Sequence, residues 1–283
     1  MRLFKKRRDI QGFITDLHDK KQKIGFVPTM GALHAGHISL VQAARQQSDF
    51  TVCSIFVNPT QFNDPKDLEK YPRTIEKDLK LLEQQGCDAV FYPGVEEVYP
   101  SGTSSPPHYD LGRLEYILEG KYRPGHFQGV ADVVSRLFYT IDPDHVFFGQ
   151  KDLQQCKVIE RLIAMNPDFS RIRMHTVPTL REPDGLAMSS RNTRLSPEAL
   201  KKAPAIYQTL NYLKQQLAPG DLTTLLETAR QRLITGSFRP DYISIAHTHT
   251  LEECTYWDGH TPVTGLIAAF LGPVRLIDNM ELV

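Results

Sequence analysis

The stretch Gly25–His37, with the sequence GFVPTMGALHAGH, decides the fold that the chain is expected to adopt. A short apolar run in it ends at Pro28 and is followed by two glycines and two histidines. The segment HISLVQAARQQ that comes next has apolar residues at helical spacing, and the segment FTVCSIFV after it is apolar almost throughout. This pattern predicts a buried strand, a helix and a second buried strand in succession.

The same alternation of strand and helix continues along the chain. Helical patterns occur in IEKDLKLLEQQG, VADVVSRLFYTI and DLQQCKVIERLIAM, and apolar strand patterns occur in DAVFYP, HVFFG and IRMHTV. Strands that alternate regularly with helices form a parallel sheet that is covered by helices on both faces. The sequence therefore predicts an α/β fold, with a Rossmann-like doubly wound parallel sheet, over residues 1–176.

The composition and the apolar pattern of the sequence change after Thr176. The segment PTLREPDGLAMSSRNTRLSP is polar and long for a loop, which is typical of a functional segment or a linker. Two helical patterns follow, EALKKAPAIYQTLNYLKQQL and DLTTLLETARQRLI, and then three short strand patterns, DYISIAH, TGLIAAFL and VRLIDN. We expect a second, smaller α+β domain over residues 177–283, and we expect this domain to close over the site of the first.

The charge balance argues against two broad classes of function. The 283 residues include 33 Lys and Arg and 33 Asp and Glu, so the formal net charge is zero. Proteins that bind nucleic acid or a membrane surface favour a strongly positive balance. No apolar run approaches the roughly 18 residues of a membrane-spanning helix, and the four cysteines are scattered as reduced thiols usually are. We therefore expect a cytoplasmic protein that has neither nucleic acid nor membrane as a partner.

Gly31 and Gly36 stand where the first strand is expected to hand over to a helix. Their spacing matches the start of a phosphate-binding P-loop, but His37 and Ile38 occupy the places of the Lys and the Ser or Thr that such a loop needs. Backbone N–H groups at a helix N-terminus still favour a phosphate, and His34 and His37 would add donors to the same anion. Two alternatives remain open: a metal-binding histidine pair, which lacks an obvious third ligand, and two purely structural histidines.

Polar residues also follow two other expected strands. Asn58 and Gln61 come after the strand in FTVCSIFV, and Lys151, Asp152 and Gln155 come after the strand HVFFG. Ligands of open α/β sheets lie beyond the carboxyl ends of the strands, so these side chains are expected to line one crevice. Lys151 offers a point charge for a phosphate, and Asp152 suits a helix start as a cap. Taken singly, the Asn-Pro pair is typical of a turn, and the Lys-Asp pair is typical of a surface.

The segment DGLAMSSRN, residues 184–192, lies between the two expected domains. Two hydroxyls, from Ser189 and Ser190, and the Arg191 guanidinium could close over a triphosphate there and neutralise its charge in the transition state. By itself the segment is equally typical of a solvated linker.

Several of these motifs together resemble one family. The segment PTMGALHAGH resembles the His-x-Gly-His signature of the nucleotidyltransferase superfamily, and MSSRN resembles the second ATP-binding signature of that superfamily. The chain also contains, in this order, the segments SIFVNPTQF, YPRT, FFGQKD, QQ and DGLAMSSRN. With this set it is similar to the pantoate–β-alanine ligase (pantothenate synthetase) family from about residue 20 to about residue 200. A lone His-x-Gly-His is a weak signal, whereas the whole set is a strong one.

The resemblance implies a ligase that uses ATP with Mg²⁺, acts on pantoate and β-alanine, and forms a homodimer; it leaves any protein ligand of the metal unknown. The ATP-binding residues that it implies are Met30, Gly31, Ala32, Leu33, His34, Ala35, Gly36, His37, Gly149, Gln150, Lys151, Asp152, Leu180, Met188, Ser189, Ser190 and Arg191. The catalytic residues expected are His37, as the acid, with His34, Lys151 and Arg191. The residues expected to bind pantoate are Gln61 and Gln155, with Asn58 beside them and Gln61 also near β-alanine.

Two positions depart from the pattern of the family. Gln150 stands where the family commonly has Glu, and Leu153 stands where it commonly has an aromatic residue. The first departure would change the local charge near the phosphates, and neither removes a residue with an expected role.

The mechanism that the resemblance implies has two halves. The pantoate carboxylate attacks the α-phosphorus of ATP to give pantoyl adenylate and pyrophosphate, and the amine of β-alanine then attacks the acyl carbon and expels AMP. Three alternatives are weighed against it: a nucleotidyltransferase that acts on a phosphorylated acceptor, a class I tRNA synthetase, and a non-catalytic nucleotide sensor. The length and zero net charge leave little room for an anticodon-binding region, and the abundance of candidate catalytic groups argues against a sensor.

Overall fold

The structure is a computed structural model that describes residues 1–62, 65–103 and 107–283. The helices within these residues are α1 (Arg7–Asp19), α2 (Ala35–Gln47), α3 (Pro65–Glu69), α4 (Ile75–Gln84), α5 (Val95–Val98), α6 (Leu118–Tyr122), α7 (His126–Ile141), α8 (Leu153–Met165), α9 (Pro197–Lys202), α10 (Ala205–Gln216) and α11 (Thr223–Thr235). The strands are β1 (Arg2–Phe4), β2 (Ile24–Thr29), β3 (Phe50–Ile55), β4 (Ala89–Phe91), β5 (His145–Gly149), β6 (Arg173–Val177), β7 (Gly220–Asp221), β8 (Phe238–His247), β9 (Tyr256–Trp257), β10 (Val263–Leu271) and β11 (Val274–Glu281).

The first six strands form one parallel sheet. Their order is β1-β4-β3-β2-β5-β6, and every neighbouring pair is parallel. The chain moves from β2 through β3 to β4 on one side, and β5 and β6 lie on the other side of β2. The strand order therefore reverses between β2 and β5, which is the place where open α/β sheets bind their ligands. The predicted doubly wound parallel sheet is confirmed.

The two faces of this sheet are both buried. Successive side chains of a strand point to opposite faces. Phe26 and Phe148 accordingly pack in a core with α1, α7 and α8, whereas Val27 and Phe147 pack in a second core with α2 and α4. Burial on both faces explains why the strands appear in the sequence as almost continuous apolar runs.

A smaller antiparallel sheet follows, with the strand order β11-β10-β8. One apolar core contains buried residues of this sheet together with those of α10 and α11, among them Leu210, Leu233 and Ile267. The expected smaller α+β domain is therefore present. The single helix predicted for EALKKAPAIYQTLNYLKQQL is wrong, because α9 ends at Lys202 and α10 begins at Ala205. Pro204 lies at this break and has no backbone N–H to continue the helical hydrogen bonds.

The chain forms two compact units. The first comprises residues 1–116, 123–150 and 155–178, and the second comprises residues 117–122, 151–154 and 179–283. The chain thus enters the second unit briefly twice, over residues 117–122 and again after Gln150, from which it returns to the first unit at Gln155. The division into domains 1–176 and 177–283, with closure of the second over the site, stays a prediction. In the described part of the chain, no helix combines the length and the apolar character that crossing a membrane requires.

Candidate active site

The loop between β2 and α2 has an unusual backbone. Gly31 has φ +79° and Ala32 has φ +50°, both in the left-handed region. A Cβ atom at Gly31 would lie 3.0 Å from Ile55 Cγ2 and 3.1 Å from Asp78 Oδ2. Glycine at this position therefore satisfies both the backbone conformation and the close approach of Asp78.

Asp78 of α4 holds this loop through its buried carboxylate. Oδ2 accepts the N–H of Ala32 at 2.9 Å, and Oδ1 accepts the N–H of Leu33 at 2.8 Å. The hydroxyl of Thr74 also donates to Oδ1, at 3.1 Å. The carboxylate thus determines where the backbone lies immediately before the histidine pair.

We expect Asp78→Asn to lower both stability and activity. The amide keeps one acceptor oxygen and turns its NH₂ group towards a backbone N–H, so one buried donor loses its partner at a cost of about 1–3 kcal/mol. The measurements are urea unfolding and the steady-state rate. Asp49→Asn is the control, because exposed Asp49 accepts the N–H of Lys23 at the opposite end of the sheet. Equal activity of Asp78→Asn and the wild type would show that the loop does not need this carboxylate.

The two histidines cap the start of α2. His34 Nδ1 accepts the N–H of Gly36 at 3.1 Å, and His37 Nδ1 accepts the N–H of His34 at 3.3 Å, which together form a capping box. The ring centroids are 4.1 Å apart. A ring nitrogen that accepts an N–H carries no proton, so each neutral ring carries its proton on Nε2. The cap therefore defines Nε2 as the nitrogen of each histidine that can donate a hydrogen bond to a ligand.

The turn after β3 brings the expected pantoate residues close to the histidine loop. Asn58 and Gln61 are 1% and 9% exposed; Asn58 caps the 3-10 turn Pro59–Gln61, and Gln61 is its last residue. The Gln61 amide nitrogen donates to the sulfur of Met30 at 2.9 Å. Residues that follow β2 and β3 therefore meet at the carboxyl edge of the sheet. Gln155 lies half-buried in the first turn of α8, after β5, and the structure does not join it to Gln61 by a hydrogen bond between these two described residues.

Lys151 and Asp152 belong to the second unit, where they begin the second brief entry of the chain into it. The carbonyl oxygen of Lys151 accepts a hydrogen bond from the Asn279 amide of β11 at 2.9 Å. The Lys151 ammonium lies 3.8 Å from Asp152 Oδ1, and its side chain is 18% exposed. The final strand of the small sheet thus anchors the backbone of the lysine.

The segment before the second signature forms a short hairpin within the second unit. The carbonyl oxygen of Leu180 accepts the N–H of Met188 at 3.0 Å, and Arg181 forms a bridge with Ala187. Two nitrogens of Arg181 contact the two carboxylate oxygens of Asp278, at 2.6 Å and 3.0 Å. This bidentate pair ties the hairpin to β11.

The hairpin leads directly into the 3-10 turn Ser190–Arg194. The hydroxyl of Ser189 accepts the N–H of Arg191 at 3.3 Å and so caps this turn. Asn192 donates to the carbonyl oxygen of Ala187 at 3.0 Å, which ties the turn back to the hairpin. The second signature is therefore an ordered element of the second unit.

The expected site residues divide between the two units. The first unit contains Met30, Gly31, Ala32, Leu33, His34, Ala35, Gly36, His37, Asn58, Gln61, Gly149, Gln150 and Gln155. The second unit contains Lys151, Asp152, Leu180, Met188, Ser189, Ser190 and Arg191.

Sequence reasoning missed the residues that hold these groups, chiefly Asp78, Arg181, Asp278 and Tyr99, whose hydroxyl donates to Asn58 Oδ1 at 2.8 Å. A signal existed for Asp78, because its spacing from Ile75 and Leu82 places a carboxylate on the apolar face of α4. The others contact residues far away in sequence, and no local pattern indicates such contacts.

The donor set bears on the expected Mg²⁺. Among residues 1–62, 65–103 and 107–283 there is no group of three or more His, Cys, Asp or Glu side chains that could hold a metal ion. Both oxygens of Asp78 already accept backbone N–H groups. The expected Mg²⁺ stays a prediction, in which the ion keeps its waters and is bound mainly by substrate phosphates.

Comparison with known proteins identifies related sequences along the whole chain. The model of the family described as pantoate-beta-alanine ligase matches residues 2–281. A pantothenate synthetase of Pseudomonas fluorescens (strain Pf0-1) is 45% identical over 285 residues, which cover 100% of this chain and 98% of the relative. A pantothenate synthetase of Thermotoga neapolitana is 44% identical over 283 residues, which cover 99% of each chain.

Solved structures show the same likeness. The crystal structure of pantothenate synthetase from Thermus thermophilus superimposes with a TM-score of 0.89 at 41% identity, over 100% of this chain and 99% of that chain. The pantoate-beta-alanine ligase from Francisella tularensis, complexed with beta-gamma ATP and beta-alanine, gives a TM-score of 0.84 at 34% identity, over 100% and 98% of the two chains.

Proposed function

The chain belongs to the pantoate–β-alanine ligase family and catalyses the ATP-dependent condensation of pantoate with β-alanine, and we propose that it does so through a pantoyl adenylate. The observation that carries the proposal is the capped histidine pair at the start of α2. It lies after β2, beside the point where the strand order reverses. A helix N-terminus there favours the phosphates of ATP, and Nε2 of each ring supplies a further donor.

The adenylate forms when the pantoate carboxylate attacks the α-phosphorus and pyrophosphate leaves. His37, the residue expected to act in catalysis, and His34 each direct the N–H of Nε2 at the phosphate oxygens and stabilise the negative charge that develops there. Lys151 and Arg191 neutralise further phosphate charge, Lys151 as a point charge and Arg191 as a planar fork. The amine of β-alanine then attacks the acyl carbon, and AMP leaves.

The remaining ATP contacts come from the backbone and from small residues. Met30–His37, Gly149–Asp152, Leu180 and Met188–Arg191 bind the nucleotide in this proposal. Gln150, which stands in place of the common Glu, removes one negative charge from this set. Mg²⁺ would be held mainly by the triphosphate and water, and when bound it supplies charge neutralisation at the phosphates.

Pantoate is bound by amide groups in this proposal. Gln61 follows β3, and Gln155 lies in α8. Their two side-chain amides supply hydrogen-bond donors to pantoate, and Asn58 lies beside Gln61. Gln61 also lies near the place of β-alanine. We further propose a homodimer that works in the cytoplasm. The burial of all four thiols supports a reducing compartment, and burial raises the pKa of the Cys87 thiol to about 12, so this thiol stays protonated and inert.

The exchange of labelled pyrophosphate into ATP tests the adenylate. The full chain is incubated with ATP, Mg²⁺ and labelled pyrophosphate, with and without pantoate and β-alanine. We expect exchange that requires pantoate and does not require β-alanine. Complete mixtures should give equal amounts of AMP, pyrophosphate and the amide. Exchange that appears only with β-alanine would contradict a free-standing adenylation step. A nucleotidyltransferase, the alternative, would release pyrophosphate without AMP and would need a phosphorylated acceptor.

We expect Gln155→Ala to weaken the binding of pantoate and to leave the binding of ATP nearly unchanged. The substitution leaves a substrate oxygen or hydroxyl without its partner, at a cost of about 1–3 kcal/mol. At 1.4 kcal/mol per factor of ten, pantoate affinity falls about five- to 150-fold. Isothermal titration of each ligand measures this, and circular dichroism confirms the fold. An equal loss of ATP affinity would contradict the placement of Gln155 at the pantoate site.

A further inference from the structure

The side-chain amide of Asn58 has an orientation that backbone groups dictate. The N–H of Thr60 donates to Oδ1 at 3.3 Å, and Nδ2 donates to the carbonyl oxygen of Gly129 at 3.1 Å. A backbone N–H can only donate and a backbone carbonyl can only accept, so oxygen and nitrogen of this amide cannot exchange places. The close approach of Gly129 to this turn requires a glycine. A Cβ at position 129 would lie only 2.5 Å from Thr60 O, a distance that excludes any larger residue.

The same amide uses its remaining bonding capacity within the protein. Oδ1 also accepts from the hydroxyls of Thr60 at 3.1 Å and Tyr99 at 2.8 Å. The second hydrogen of Nδ2 points to Gln61 Oε1, at 3.3 Å. Burial raises the pKa of the Tyr99 phenol to about 12, so this hydroxyl keeps the proton that it donates. The side chain of Asn58, a residue that is 1% exposed, therefore has no hydrogen-bonding capacity left to offer a substrate.

Gln61 receives its orientation from Asn58. Because Oε1 accepts from Asn58, the amide nitrogen must lie on the other side, where it donates to the sulfur of Met30 at 2.9 Å. The main chain is held as well, since the carbonyl oxygen of Gln61 bonds His126 Nδ1 at 2.8 Å and accepts from Arg123 at 3.4 Å. A thioether is a weak acceptor, and a carboxylate or hydroxyl oxygen binds an N–H more strongly.

We infer that Asn58 and Tyr99 are positioning residues that hold Gln61 as a hydrogen-bond donor to an acceptor oxygen of pantoate. This inference rests on the proposed function of Gln61, and it narrows the role of Asn58 from contact with the substrate to action through Gln61. It also gives the pocket a chemical preference. An oxygen acceptor replaces the sulfur as the partner of Nε2, whereas a substrate that presents an N–H at the same point meets another donor.

A double-mutant cycle on the full chain tests the relay. The dissociation constants of pantoate and ATP are measured by isothermal titration for the wild type, Asn58→Ala, Gln61→Ala and the double variant. Each single substitution is expected to weaken pantoate affinity about tenfold and to change ATP affinity by less than about twofold. Because Asn58 acts only through Gln61, Asn58→Ala should change pantoate affinity less than about twofold in the Gln61→Ala background. Full additivity would overturn the inference, since it means that Asn58 affects pantoate binding independently of Gln61.

Tyr99→Phe provides a second arm that does not depend on whether Asn58→Ala folds. It removes one hydroxyl and keeps the ring, and pantoate affinity is expected to fall about two- to fivefold, with no fall in the Gln61→Ala background. Tyr139→Phe is the matched control, because the Tyr139 hydroxyl bonds Asp168, far from this turn in the fold. Equal effects of Tyr99→Phe in both backgrounds, or no effect in either, would overturn the relay. Failure of the wild type to bind pantoate would instead contradict the proposed function.

Discussion

His37→Ala is expected to lower the rate of adenylate formation by about 10²–10⁴-fold, the usual effect of removing a catalytic acid or an oxyanion donor. The cap geometry is the physical reason. His37 Nδ1 accepts the N–H of His34 at 3.3 Å, so the proton of the neutral ring resides on Nε2. The N-terminus of α2 adds its own positive potential at the same place. Pyrophosphate release in a single turnover measures the step.

His37→Gln separates the chemistry from the helix cap. Position 37 is the third residue of α2, where Gln is a favoured partner in a capping box. The glutamine keeps an acceptor for the N–H of His34 but lacks the imidazole Nε2–H. We expect the variant to unfold close to the wild-type urea concentration and to be about as slow as His37→Ala. A fast His37→Gln variant would mean that His37 matters only for the start of the helix.

Sequence patterns predicted the larger unit well because its strands are buried on both faces. The β2–α2–β3 unit and the later alternation follow from apolar periodicity alone. The sequence did not indicate β1, which has only three residues and pairs at the edge of the sheet with β4. It also did not indicate the break between α9 and α10, because apolar spacing continues across Pro204. Short edge strands and breaks inside a periodic pattern carry little periodic signal.

The candidate site was predictable only in part. Glycines, histidines and amides that follow strands could be found, because a doubly wound sheet gathers its loops at one edge. The groups that hold them could not, since Asp78 and Leu33 are 45 residues apart and Asn58 and Tyr99 are 41 apart. Contacts at such separations depend on tertiary packing. The roles of the site residues themselves stay predictions until the variants are measured.

Arg181→Ala is expected to destabilise the second unit by about 3–5 kcal/mol, the usual cost of removing one partner from a buried ion pair. The Asp278 side chain is 3% exposed, and Arg181 donates to both of its oxygens. The same guanidinium bonds the carbonyl oxygen of Asn279 at 3.2 Å and stacks on Tyr207 at 4.5 Å. ATP affinity should fall too, because the hairpin that leads to Met188–Arg191 loses its tie to β11.

Trp257, the single tryptophan, reports this unfolding, since it is buried in the core of the second unit. Arg239→Ala is the matched control. Arg239 also pairs with an aspartate, Asp241 at 3.9 Å, and stacks on a ring, Phe270 at 4.2 Å, but its side chain is 72% exposed. Exposed pairs contribute about 0–1 kcal/mol, so this control should unfold near the wild-type midpoint. Equal losses from the two arginines would show that burial of the pair is not the cause.

The pH dependence of the stability loss in Arg181→Ala tests whether the unpaired Asp278 carboxylate causes it. Burial raises the pKa of Asp278, and Arg181 acts against that rise. Removing Arg181 therefore raises the pKa of the folded state further, while the unfolded value stays near the ordinary ~3.9. Between these two values the folded variant binds more protons than the unfolded chain, so its stability falls as pH rises. The deficit relative to the wild type should thus be largest at neutral pH and shrink towards pH ~4, where Asp278 is protonated and needs no cation. A deficit that is constant across this range would assign the loss to packing on Tyr207 instead of to charge.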